Sequence, residues 1–154
     1  MSVTLHVRKL SRDLDPSPTL KELVQSSGLL KNIKTGDQVL IKPNYVAPFS
    51  MATTDSSFLE FFILALKDLG ATPVVGEMSG YEFDTTDTIK ILGILPLLKR
   101  LGVTFVNFEQ APYVPIELDT GMTVNVAEIS QEVDYIINLP VLKGHTITKI
   151  TGAV

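Results

Sequence analysis

The chain has 154 residues, 45 % of them hydrophobic, with 13 Lys and Arg against 17 Asp and Glu, a formal net charge of −4. That apolar share builds a core without staples, so disorder over most of the length is excluded. With no cysteine, a disulfide scaffold, thiol catalysis, a thiolate metal site and an iron–sulfur cluster held by this chain alone are excluded too.

Val3, Leu5 and Val7 alternate with Thr4, His6 and Arg8, which predicts an edge or flanking strand with one wet face. After a loop over 13–18, Thr19 and Glu22 read as a capping box opening a short helix that Gly28 ends. Gln38 to Lys42 is apolar on both faces at its centre, as a strand covered on both sides must be, and Pro43 stops it. A long helix is predicted from about Asp55 to Leu69, capped by Thr54 or Asp55, and a buried strand from Thr72 to Glu77. Ile89 to Leu101 is helical in pattern, and Pro96 must split it into two short helices. Val103 to Phe108 is a strand. Ile116 to Leu118 and Thr123 to Val126 form a hairpin around Asp119-Thr120-Gly121, which is a turn and not an aspartic-protease triplet. Asp134 to Leu139 is the last buried strand.

Strands alternating with helices define an α/β fold: three layers, a mostly parallel central sheet with helices on both faces, and one β-hairpin. Ligands of such sheets bind beyond the carboxyl ends of the strands, where loops and helix starts converge. That rule selects Lys42-Pro43-Asn44, Gly76-Glu77 and the run from Asn138 to Thr146. Thr54 and Asp55 join them at the start of the long helix, and Thr146, Thr148 and Thr151-Gly152 offer a second hydroxyl-rich turn suited to an anion. A lysine at the end of a central strand needs a partner for its ammonium. For Lys42 that partner is either Glu77, in a structural ion pair, or a bound carboxylate or phosphate flanked by Lys42 and Lys143 and oriented by Asn44 and Asn138. His145, in a polar loop, and Glu77 are the candidate proton-transfer groups. Tyr45, Phe49, Tyr81 and Phe83 fall in rim loops, lining a pocket or sealing the core edge. A metal site of Glu77 with Asp55 or His145 lacks a spacing motif, and His6 reads as a solvated strand residue.

Val39-Leu40-Ile41-Lys42-Pro43-Asn44, Ala52-Thr53-Thr54-Asp55, Val75-Gly76-Glu77, Ile137-Asn138-Leu139-Pro140 with Lys143 and His145, and Thr148 to Val154 resemble, in that order, the prokaryotic family catalogued as domain of unknown function 362. Gly144 stands where that family usually has threonine, and the family usually continues past Thr-Gly-Ala-Val with lysine and asparagine. The resemblance implies that residues 1–154 are a single α/β domain, the N-terminal part of a longer family domain. Many members are joined to ferredoxin-type iron–sulfur modules, so it also implies a redox setting, with any cluster on a partner or on a segment outside this chain.

Two functions follow as expectations. The first is a domain, alone or as part of an enzyme, that binds a small anionic metabolite at the C-terminal rim of the sheet. The alternative is a non-catalytic module that docks an iron–sulfur, ferredoxin-like redox partner. The acidic balance and the absence of a basic run speak against nucleic acid. No apolar stretch has the ~20 residues that span a bilayer, so no membrane partner and a cytoplasmic location are expected.

Overall fold

Four parallel strands carry the architecture of the computed structural model, which describes residues 4–11, 14–80, 82–145 and 149–152. They are β1 (Gln38–Pro43), β2 (Thr72–Glu77), β3 (Thr104–Asn107) and β6 (Tyr135–Leu139), in the order β3-β2-β1-β6. Helix α2 (Ser56–Asp68) makes the crossover from β1 to β2, and α3 (Thr85–Ile91) with α4 (Ile94–Leu101) that from β2 to β3. The chain then runs through an antiparallel hairpin, β4 (Tyr113–Glu117) and β5 (Thr123–Ala127), and one short turn of helix, α5 (Ile129–Glu132). It returns across the sheet to place β6 on the other side of β1.

Alternation along each strand decides what is buried where. Val39, Ile41, Val75 and Ile137 share one core with Leu59, Phe62, Ile63 and Leu66 of α2 and Ile94, Leu97 and Leu98 of α4. Leu40, 2 % exposed, turns to the opposite face, where Gly76 lets the Phe108 ring lie directly against the sheet. At the amino end of the sheet, Gln38 N–H donates to the Asp134 carboxylate (2.8 Å) and Asp134 N–H to the Gln38 carbonyl (3.0 Å). This reciprocal clasp holds the register in which Lys42 stands opposite Asn138.

The strands, the long helix and the Asp119–Gly121 turn lie where the sequence puts them, within a residue or a few; Gly121 takes φ +77°. Four local expectations need correction. Residues 4–8 form no strand: Leu5 and Val7 are 83 % and 69 % exposed, and Arg8 instead pairs with Glu22 at 3.0 Å. Alternation yields a strand only where a sheet edge receives it.

Helix α1 (Ser17–Ser27) starts ahead of the expected capping box. Pro16 is its N-cap, and the Asp15 carboxylate accepts from Ser17 N–H and its hydroxyl, at 3.0 and 2.7 Å. Pro18, in the first turn, needs no amide partner. The break between α3 and α4 falls at Gly93 (φ +71°), not at Pro96. Pro96 sits in the first turn of α4, where its missing N–H costs nothing. Lastly, the stretch expected as a polar loop after β6 contains a second hairpin, β7 (Lys143–His145) with β8 (Lys149–Thr151). Among the described residues no helix is long and apolar enough to cross a membrane.

A Cβ added at Gly76 would stand 2.4 Å from Phe108 Cε1 and 3.1 Å from Leu40 Cδ1. Gly76→Ala is therefore expected to destabilise the fold by about 1–3 kcal/mol in urea unfolding. Combining it with Phe108→Leu, which removes the clashing ring, should recover part of that loss.

Candidate functional site

The carboxyl ends of β1 and β2 meet around one buried carboxylate. Glu77, 4 % exposed, ends β2. It accepts from the Lys42 ammonium at 3.0 and 3.1 Å, from Met78 N–H at 2.9 Å and from Tyr45 N–H at 3.4 Å. Of the two roles open to Lys42, the ion pair with Glu77 is thus present. The Lys42 side chain remains 42 % exposed, and its remaining contact, to the Pro43 carbonyl, is long at 3.4 Å.

Thr54 ties the three approaching segments together. Its hydroxyl donates to the Leu139 carbonyl of β6 (2.6 Å) and accepts from Asn44 N–H (2.8 Å), while its own N–H donates to the Asn44 carbonyl (3.0 Å). Asp55 is the N-cap of α2, its carboxylate accepting from Ser57 N–H and Oγ at 2.8 and 2.6 Å. Both side chains are thereby committed to the loop and the helix start. The Asn44 carboxamide donates through Nδ2 to the Ala52 carbonyl (2.7 Å), and the Lys143 ammonium donates to the same oxygen (2.8 Å). Lys143 has no carboxylate within ion-pair distance among the described residues. Its burial pushes the ammonium pKa below the ordinary value, and the more distant charge of Glu77 opposes that shift.

A cavity of about 150 Å³ opens between the ends of β1 and β6, lined by Lys42, Pro43, Asn44, Asn138, Pro140, Val141, Thr151 and Gly152. It lies where the strand order reverses, since β2 and β3 are added on one side of β1 and β6 on the other. Asn138 makes no side-chain hydrogen bond among the described residues, and the buried Thr151 hydroxyl likewise has no partner there. Of the two lysines expected to share one hollow, Lys42 lines the cavity, and Lys143 stands behind Asn44 at the Ala52 carbonyl.

His145 is exposed on β7, opposite Lys149. Thr146, Thr148 and Tyr81 lie outside the described residues. Phe49 and Phe83 meet edge to face with ring centres 5.7 Å apart, joining the loops after β1 and β2. No group of three or more His, Asp or Glu side chains able to hold a metal ion occurs among the described residues. A larger, mainly apolar groove of about 770 Å³ runs between α1 and α2, past Val24, Phe61 and Leu64, and shares no lining residue with the rim cavity.

Of the two roles open to the rim-loop aromatics, Tyr45 seals the core edge: it is fully buried, and its hydroxyl has no hydrogen-bond partner among the described residues. Burial, with the Asp55 and then the Glu77 carboxylate nearby, pushes the phenol well above its ordinary pKa.

Fold and rim together define an α/β protein with a parallel sheet and a polar crevice at its switch point. The chain belongs to the family described as Domain of unknown function (DUF362), whose profile matches residues 39–154. It is 26 % identical over 140 residues to the Thylakoid-associated protein sll1697 of Synechocystis sp. (strain ATCC 27184 / PCC 6803 / Kazusa), across 88 % of this chain and 43 % of that protein. The chain thus spans less than half the length of this relative. No solved structure matches it.

Tyr45→Phe deletes an unpartnered buried hydroxyl and is expected to keep or raise stability at neutral pH, by up to about 1 kcal/mol. A phenol whose pKa is raised by folding leaves stability intact below its unfolded value, and stability is lost as pH climbs above it. The variant should therefore resist alkaline unfolding better than the parent in pH-dependent urea melts. Thr54→Val, which keeps the shape and drops the hydroxyl, should cost about 1–3 kcal/mol.

Proposed function

We propose that the protein binds a small anionic metabolite, through a carboxylate or phosphate, in the cavity between the ends of β1 and β6. The observation that carries this reading is the wall of that cavity, which Lys42, Asn44 and Asn138 line together, Asn138 without a side-chain hydrogen bond among the described residues. Lys42 and Lys143 bring two positive charges to the rim against the one carboxylate that Lys42 pairs with. An anion would supply a counter-charge for the Lys143 ammonium and hydrogen-bond partners for the Asn138 side chain. In this reading Lys42 and Asn138 contact the ligand, Asn44 orients it, and Lys143 acts through its field and by fastening the β7–β8 hairpin to Ala52. Thr54 and Asp55 shape the loop and do not touch the ligand. A proton-transfer role falls to Glu77 sooner than to His145, because Glu77 already shares a short contact with the ammonium that would hold the anion.

The test is a thermal-shift and calorimetric panel of small carboxylates and inorganic phosphate. A ligand at ~100 times its Kd should stabilise by about 2.7 kcal/mol. Lys42→Ala alone would strand the buried Glu77 carboxylate and confuse folding with binding. The double substitution Lys42→Met with Glu77→Gln removes both charges, and is expected to keep the fold and abolish the ligand-induced shift. Anion affinity should also decline as pH rises through the depressed pKa of Lys143, since only the protonated ammonium attracts the ligand. Unchanged binding by the double variant would sink the proposal.

A further inference from the structure

We infer that the groove between α1 and α2 is where a second copy of this chain docks, the two copies meeting as a symmetric pair; this stands apart from the rim and does not rest on the anion reading. The first observation is the composition of α2. Phe58 to Leu66 contain one polar residue, Glu60, while the residues that the helix buries are Leu59, Phe62, Ile63 and Leu66. A helix apolar nearly all round is covered nearly all round. Phe61, Leu64 and Ala65 form a second stripe, which α1 covers in part: Leu64 remains 44 % exposed, and the stripe lines the groove of about 770 Å³. From Ser57 to Asp68 that wall is roughly 16 Å long, three turns of helix.

The charges beside the stripe say what covers it. The α1 side carries Lys21 and, just past the helix, Lys31; the α2 side carries Glu60 and Asp68. Asp15 also lines the groove, but its carboxylate is taken up by Ser17, and Glu60 is paired with Arg100 at 3.0 Å. Lys21, Lys31 and Asp68 are exposed and have no ion-pair partner among the described residues. A surface with a basic wall, an acidic wall and an apolar crest between them is complementary to itself. When the Leu64 ridge of one α2 enters the groove of the other copy, its acidic flank lies against that copy's basic α1 wall, and the two-fold repeats the contact. A small apolar molecule would cover the stripe and leave those three charges unpaired.

The test is the oligomeric state of the whole chain, by sedimentation velocity and light scattering across micromolar concentrations, with circular dichroism and urea melts to follow the fold. A dimer is expected, and Leu64→Asp should weaken it at least about tenfold, because the new carboxylate is desolvated at the centre of the interface. Lys21→Glu combined with Lys31→Glu should weaken it too, as should Asp68→Lys. Mixing these two variants should restore association as a heterodimer, since each then offers the other the opposite sign. Should Leu64→Asp fail to fold, the charge variants and their mixture decide alone. A chain that stays monomeric across that range, a dimer that these substitutions leave intact, or a monomer whose groove takes up a fatty acid or another protein instead overturns the inference. The anion site at the rim is untouched by either result.

Discussion

A carboxylate at the end of a central strand, almost wholly out of water, is the constraint around which the rim is organised. The Glu77 carboxylate is held in its buried position by one ammonium and two backbone amides. That requirement draws the Lys42 side chain toward β2 and pins the backbone after β1 at Tyr45. The loop from β1 then has to bend back, and Thr54 fixes the bend by holding Asn44 on one side and Leu139 on the other. The crevice between β1 and β6 is what remains once those demands have been met.

Seen this way, the polar residues of the rim divide by what their atoms already hold. Thr54 and Asp55 have their hydrogen-bonding capacity engaged in the loop and the helix cap. Asn44 is partly engaged, one of its two side-chain N–H donors being held by the Ala52 carbonyl. Asn138 and Thr151 are not engaged among the described residues. The family profile begins at Val39, so it takes in every one of these positions, whereas α1 and the segment before it fall outside the match.

Much of the fold was legible because burial on two faces leaves a plain mark: Val39-Leu40-Ile41 and Val74-Val75 can only be strands of a covered sheet. The rim was legible for the same reason, since a lysine, a glutamate and two asparagines directly after such runs have nowhere else to go. What was not legible depends on partners remote in sequence. Leu5 and Val7 alternate correctly, yet no edge receives them. Thr19 has the right spacing to Glu22, but Asp15 and two prolines had already started the helix. The β7–β8 hairpin carries almost no apolar alternation and is recognised only by its cross-strand pairing. That Lys143 reaches the Ala52 carbonyl, and not the hollow beside Lys42, depends on where that hairpin folds back.

The clasp between Gln38 and Asp134 joins residues 96 apart in sequence, and the crevice exists only once these ends have met. Closing so long a loop has a high entropic cost before any contact rewards it. Local helices and the β1–α2–β2 unit can assemble beforehand without creating the crevice. The crevice is therefore a late product of the folding reaction, and a chain stalled short of docking β6 would be compact, well structured in part, and without it.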